Sequence, residues 1–318
     1  MSGKTVLLDL KHERQRKFEL FRQCLPDHEI IDIETGLSDA QRDRVAYAAV
    51  WAPEPGLLAG LPSLEVIFSS GAGVDHVFAD PHLPDKPLVR FVDPDLTGRM
   101  VEWVVLQCLI HLRQQRRYDA SQRARKWDEA FQPAAHEVTV GIMGFGELGQ
   151  AAASALLPLG FQLRGWSRSK KVMEGVEIFG GKDELDGFLG GTDFLVSLLP
   201  YTTETHGVLN RDLFSKLRHG RFDIGPVLIN AGRGKSQVEE DIAEALRDGT
   251  LAGASLDVFE TEPLPQDSAL WDFDNLIITP HNAAVSDAGA LAHYVARQIR
   301  NYEAGQPLEN VVDRSRGY

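Results

Sequence analysis

Short apolar runs alternate along the chain with amphipathic stretches, the pattern of strands and helices taken in turn. Strand-type runs fall at residues 5–10, 29–33, 46–51, 64–69 and 88–92, and residues 13–24 carry apolar positions at helical spacing. From residue 97 to about 118 breakers are few. Met100, Val101, Val104, Val105, Leu106, Leu109, Ile110 and Leu112 recur there at helical intervals, which predicts one long helix. A second series starts at 138–143 and continues through 161–166, 194–199, 227–230, 253–258 and 276–279, with helical segments between several of the strands and an Ala-rich one from Leu148. Alternating β and α elements with continuous apolar strands imply parallel, doubly wound sheets. Residues 287–302 predict a helix that returns to the first unit. The expected layout is an α/β protein of two such domains, with residues 99–284 inserted into a smaller domain made of 1–98 and 285–318.

Gly144-Phe145-Gly146-Glu147-Leu148-Gly149 lies between a predicted strand and a predicted helix. In that context the first glycine permits a tight turn, the second lets backbone approach a pyrophosphate, and the third lets helix and strand pack closely. The helix start adds unpaired N–H groups and the positive end of its dipole. A site for NAD ends the following strand with an acidic residue that binds the ribose 2′-hydroxyl. Here that strand runs into Ser167-Arg168-Ser169-Lys170-Lys171, two hydroxyls and three cations without an acid. Such a set suits a 2′-phosphate, so NADP(H) is the expected cofactor, with NAD(H) as the second possibility.

Three residues that carry proton and anion chemistry follow later strands: Arg233 in Asn230-Ala231-Gly232-Arg233-Gly234, Glu262 before Pro263, and His281 in Thr279-Pro280-His281. The carboxyl ends of parallel strands form the ligand crevice of an open sheet, so side chains just beyond them converge although distant in sequence. A carboxylate beside His281 favours the imidazolium, which can donate to a ketone oxygen. Arg233 suits a substrate carboxylate. Glu260 competes with Glu262 for the place beside the histidine on spacing alone. In the first unit, the small residues of Ser70-Gly71-Ala72-Gly73-Val74-Asp75 offer backbone N–H groups to a carboxylate, and Trp51, at the end of another strand, is either a pocket wall or plain packing.

Length and charge narrow the class. The 318 residues suffice for two cores, and a net charge of −13 argues against nucleic-acid or anionic-membrane partners. Cys24 and Cys108, the only cysteines, show no metal-ligand spacing, so no metal is expected. No signal-peptide pattern opens the chain and no apolar run reaches membrane-spanning length, which makes a cytoplasmic enzyme the expectation.

Taken together, Gly71-Ala72-Gly73-Val74-Asp75, the glycine motif at 144–149, Asn230-Ala231-Gly232-Arg233-Gly234, Leu256-Asp257-Val258-Phe259, Glu262-Pro263-Leu264-Pro265 and Thr279-Pro280-His281 resemble, in order, the signatures of the D-isomer-specific 2-hydroxyacid dehydrogenase family. Trp166-Ser167-Arg168, Ser268-Ala269-Leu270-Trp271 and the ending Val312-Asp313-Arg314-Ser315-Arg316-Gly317-Tyr318 resemble its glyoxylate/hydroxypyruvate reductase A subgroup. One departure from that pattern is the segment 219–226, which is longer. The resemblance implies a Rossmann cofactor domain inserted into a flavodoxin-like substrate domain, and NADPH-dependent reduction of small 2-keto acids such as glyoxylate or hydroxypyruvate. It implies Arg233, Glu262 and His281 as the catalytic trio, with Glu262 rather than Glu260 beside the histidine. It implies substrate contacts from Trp51, Ala72, Gly73 and Arg233. Cofactor contacts are implied from Met100, Leu199, Pro200, Ala231, Gly232, Asp257 and His281, besides Gly144, Gly146, Glu147, Leu148, Gly149, Ser167, Arg168 and Ser169. Family members are usually homodimers joined through the cofactor domain. The alternatives are a sister dehydrogenase acting on a bulkier 2-keto acid and a non-catalytic dinucleotide sensor. A sensor is disfavoured because such proteins usually carry extra interaction tails, and a formate-type enzyme because its histidine pairs with glutamine.

Overall fold

The computed structural model describes residues 4–11, 13–220, 224–285 and 287–314, in two compact units, Met1–Leu96 with Ser286–Tyr318 and Thr97–Val285. Parts of the 219–226 segment and of the terminal motif therefore lie outside the described residues.

In the first unit five strands, β1 (Thr5–Asp9), β2 (Glu29–Asp32), β3 (Val45–Val50), β4 (Val66–Ser69) and β5 (Leu88–Val89), form a parallel sheet of order β2-β1-β3-β4-β5. This is the doubly wound, flavodoxin-like order, in which the chain reverses direction between β1 and β3. The central strands β3 and β4 are buried throughout, as continuous apolar runs require. Helices Arg14–Cys24 and Ala288–Glu303 pack together, with Phe21, Leu291, Val295 and Ile299 fully buried. The second helix begins where Asp287 accepts hydrogen bonds from the Gly289 and Ala290 amides, both at 2.9 Å, which satisfies two of its orphan donors.

The second unit holds β6 (Thr139–Met143), β7 (Gln162–Ser167), β8 (Val176–Gly180), β9 (Phe194–Ser197), β10 (Val227–Asn230), β11 (Gly253–Leu256) and β12 (Leu276–Ile278). Its parallel order, β12-β11-β10-β9-β6-β7-β8, is the Rossmann arrangement with one strand added, and the reversal lies between β6 and β9. Alternate residues feed two cores. Val140, Ile142, Val196 and Ile229 face Trp103, Val104, Ala152 and Ala153, whereas Met143, Leu195, Leu228 and Leu256 face Phe214, Ile242 and Leu246.

Strand β5 is shorter than the expected 88–92 and the long helix starts at Pro94, before residue 97; two larger differences concern whole elements. The long helix ends at Leu112, not near 118, and a second helix runs from Gln115 to Arg123. Gln114 takes a left-handed conformation, its side chain donates to the Phe131 carbonyl at 2.6 Å, and Gln132 caps the Arg113 carbonyl at 2.9 Å. The stop is thus made by residues nearly twenty positions downstream, beyond the reach of local periodicity. Strand β8 was not expected, since a five-residue run at a sheet edge is only partly buried and carries a weak apolar pattern.

The helix Pro94–Leu112 lies so close to the start of β11 that a side chain on Gly253 would meet the His111 ring at 3.1 Å. His111 donates from Nε2 to the Ser255 hydroxyl (2.8 Å), which donates to Gln107 Oε1 (2.9 Å). Burial, aided by the charge of Arg116, pushes the imidazole down to about 4.

Candidate active site

The carboxyl ends of β6, β9 and β10 meet at a close-packed cradle. Gly144 has φ +100°, and a Cβ there would lie 2.7 Å from the Leu198 carbonyl group. A Cβ on Gly232 would lie 2.7 Å from the Leu199 carbonyl oxygen, and one on Gly149 would lie 2.5 Å from that of Gly144. These three glycines are demanded by the backbone approaches of the chain itself. At Gly146, by contrast, a Cβ would meet open space, and this residue precedes the helix Glu147–Leu156 with no side-chain cap on its first amides. Leu148 packs on the core that also holds Met100, Phe145, Ala231 and Ala283. Pro200 follows Leu199 directly at the same sheet edge.

The glycine turn is tied to the next strand. The Gly144 and Phe145 amides both donate to the Trp166 carbonyl at 3.0 Å, and the Phe145 ring fills the place a side chain on Gly165 would need, 2.6 Å from its nearest ring atom. Sequence reasoning missed Gly165, although an isolated glycine within a strand signals such an approach. Beyond Trp166, Ser167 Oγ donates to the Ser169 carbonyl at 2.8 Å. Lys170 is held by Glu184 at 3.0 Å, and Arg168 and Lys171 belong to the same loop. The amide of Gly180 and then Lys170 hold the Glu184 carboxyl below its ordinary value.

Further along the same sheet edge, His281 Nδ1 donates to Glu262 Oε2 at 2.7 Å. The carboxylate beside the histidine is therefore that of Glu262, while Glu260 is exposed and its amide donates to Glu239. Glu262 Oε1 also accepts from the Phe259 amide at 3.0 Å. Burial pushes Glu262 up, but the hydrogen bonds from His281 and Phe259 and the charges of His281 and Arg233 together hold it below the ordinary carboxylate value.

Arg233 stands on a loop locked in two ways. Gly234 abuts the Phe259 carbonyl, which a Cβ would approach to 1.9 Å. Asn230 Nδ2 donates to Gln237 Oε1 at 2.8 Å, Gln237 donates to the Val258 carbonyl at 2.9 Å, and Asn230 Oδ1 accepts from the Gly232 amide at 3.0 Å. The Arg233 guanidinium donates to the Gly232 carbonyl at 2.7 Å. His281 has φ +51°, in the left-handed region that residues other than glycine seldom occupy, and its amide donates to the Asp257 carbonyl at 2.8 Å. Asp257 is buried, and that burial raises its pKa against the hydrogen bonds it accepts.

In the first unit Trp51 lies on Gly71, where a Cβ would fall 2.5 Å from the indole. The ring of His76 sits beneath it at 4.3 Å, fixed by the Ala52 amide on Nδ1 (3.1 Å) and Ser69 Oγ on Nε2 (3.2 Å). Ser69 Oγ also donates to the Gly73 carbonyl at 2.9 Å, so Trp51 and the turn bearing Ala72 and Gly73 form one assembly. Sequence reasoning did not single out Ser69 or His76. Arg233, Glu262 and the glycine cradle lie in the second unit and this assembly lies in the first.

A Rossmann sheet with a glycine turn and, on the same edge, an imidazole–carboxylate pair with a guanidinium has the build of a dinucleotide-linked oxidoreductase. The family model for the D-isomer specific 2-hydroxyacid dehydrogenase NAD binding domain matches residues 105–283. Glyoxylate/hydroxypyruvate reductase A of Escherichia fergusonii is 39% identical over 303 residues, 93% of this chain and 94% of that protein. The crystal structure of an NADPH-dependent glyoxylate/hydroxypyruvate reductase from Sinorhizobium meliloti, in complex with NADP and sulfate, superposes with a TM-score of 0.93 at 51% identity over 99% of this chain and all of that one. A probable 2-hydroxyacid dehydrogenase from Rhizobium etli, in complex with NADP, HEPES and L(+)-tartaric acid, gives a TM-score of 0.91 at 49% identity, with 99% and 100% of the two chains covered. The chain belongs to the D-isomer specific 2-hydroxyacid dehydrogenase family.

Proposed function

We propose that the protein reduces small 2-keto acids, glyoxylate and hydroxypyruvate among them, to 2-hydroxy acids with NADPH. The observation that carries this reading is the 2.7 Å His281–Glu262 hydrogen bond, on the sheet edge that bears the glycine cradle. Gly146 supports the cofactor assignment, because packing within the chain does not require a glycine there and a pyrophosphate lying against the backbone does. Ser167, Arg168 and Ser169 are the proposed 2′-phosphate contacts, supported by the NADP-bound relatives. The other proposed cofactor contacts are Met100, Leu199, Pro200, Ala231 and Gly232.

When bound, the reduced nicotinamide supplies a hydride to the keto carbon. Arg233 grips the substrate carboxylate and polarises the adjacent carbonyl. With Nδ1 of His281 engaged by Glu262, Nε2 gives its proton to the oxygen that becomes the hydroxyl. Glu262, ionised because its partners hold it so, stabilises the imidazolium before that transfer. Trp51, Ala72 and Gly73 are the proposed substrate contacts of the first unit. The test is loss of nicotinamide absorbance with NADPH or NADH and glyoxylate, hydroxypyruvate, pyruvate or an aromatic keto acid. Faster NADPH-linked reduction of the two small polar acids is expected. Equal efficiency with the two cofactors would sink the 2′-phosphate assignment, and preference for the aromatic acid would move the protein to a sister activity.

We also propose a cytoplasmic homodimer joined through the second unit. Among the described residues no helix is long and apolar enough to cross a membrane, and Cys24 and Cys108 form no disulfide. The second unit exposes Trp127 (91%), Phe131 (72%) and Leu106 (52%), apolar surface of the kind that marks an interface. Sedimentation is expected to give a dimer that Trp127→Ser with Phe131→Ser weakens, and a monomeric native protein at micromolar concentration would refute the assignment.

A further inference from the structure

We infer that Thr279 and Trp103 are positioning residues for the proton donor, acting on His281 through the carboxylate of Asp257; the inference rests on the proposed function and deepens it. The chain of contacts is direct. Trp103 Nε1 donates to Thr279 Oγ1 at 3.2 Å, and Thr279 Oγ1 donates to Asp257 Oδ1 at 2.5 Å. An indole nitrogen only donates, so the hydroxyl's one proton is directed to the carboxylate. Asp257 also accepts from the Asn282 amide on Oδ1 and the Ala283 amide on Oδ2, both at 3.0 Å, and its own carbonyl accepts from the His281 amide at 2.8 Å. The turn carrying His281 is thereby clamped on both sides of the histidine, which holds a left-handed conformation uncommon for residues other than glycine.

Trp103 is almost completely buried on the helix Pro94–Leu112, so the clamp is anchored in the core of the second unit. Charged groups that bear on His281 include Glu262, in contact, Asp257, and Arg233 beyond Glu262. Burial raises the Asp257 carboxyl while the Thr279 hydroxyl is foremost among the contacts that lower it, so the hydroxyl helps keep a negative charge near the imidazolium. Thr279 thus has a geometric and an electrostatic effect on the same ring.

Thr279→Val keeps the volume and removes the hydroxyl, and Thr279→Ser keeps the hydroxyl. In Thr279→Val, kcat for keto-acid reduction is expected to fall roughly tenfold or more, the scale set by misplacing a catalytic group, while the KM for NADPH changes little. The alkaline limb of its pH profile moves to lower pH, and Thr279→Ser restores both. Trp103→Phe shifts the limb in the same direction by less. NMR titration of labelled histidine follows the His281 ring without substrate, and is expected to show a lower midpoint in Thr279→Val. An unmoved midpoint with an unmoved pH limb overturns the inference even if Tm drops, because a merely structural threonine would lower stability alone. Native protein that reduces no keto acid would defeat the proposed function, and the titration would still test the clamp.

Discussion

Replacing His281 with Asn is expected to lower keto-acid turnover by about 10²–10⁴-fold, the usual worth of a positioned proton donor, while dinucleotide affinity stays close to that of the native protein. The amide can still accept or donate a hydrogen bond toward Glu262, so the geometry of the pair is largely kept and the loss falls on the chemical step. Single-turnover measurements separate the two: a normal binding phase followed by a slow hydride step is the expected record, and retained turnover would remove His281 from the role of donor. In the native protein, reduction weakens as pH rises, because the donor must be the imidazolium. Glu262→Gln moves that limb to lower pH, since the carboxylate that favours the charged ring at 2.7 Å is gone.

The second large effect concerns stability. His111 lies far along the chain from this chemistry, and its pKa falls from 6.5 to about 4 in the folded protein. Between those two values the unfolded chain binds a proton that the folded one does not, so stability is complete above the unfolded pKa and is lost as pH falls through this window. The full shift corresponds to up to about 3 kcal/mol, and water reaching the partly exposed ring reduces it. His111→Gln keeps a donor for Ser255 and cannot charge. Denaturant unfolding from pH 7 to pH 4 is expected to show a steeper decline for the native protein than for this variant. Parallel declines would mean that His111 titrates normally.

Much of this arrangement was legible in the sequence because it depends on local rules. The G-x-G-x-x-G signal marks a tight turn between a strand and a helix, where Gly144 and Gly149 allow close backbone approach, and continuous apolar runs such as Val227–Asn230 admit few alternatives to a buried parallel strand. What escaped the sequence depends on contacts distant along the chain. The helix stop at Gln114 is made by Phe131 and Gln132, and the choice of Glu262 over Glu260 needed the resemblance or the fold. Thr279 looked like an ordinary residue before Pro280, and only the three-dimensional meeting with Trp103, 176 positions earlier, gives its hydroxyl a purpose. The pairing of Lys170 with Glu184 was likewise hidden, because nothing in the local sequence announces that partner.

The union of the glycine turn with β7 has a practical bearing on how this protein can be re-engineered. The two are fastened through Gly165 and the Trp166 carbonyl, upstream of the loop that carries the hydroxyls and cations. An acidic residue placed at 168 or 171 is therefore expected to favour the unphosphorylated coenzyme without loosening that fastening, whereas residue 170 packs against Gly180 of β8 and is tied to Glu184. At Gly165 that freedom ends, for any side chain added there pushes on Phe145 and carries the disturbance straight into the glycine turn.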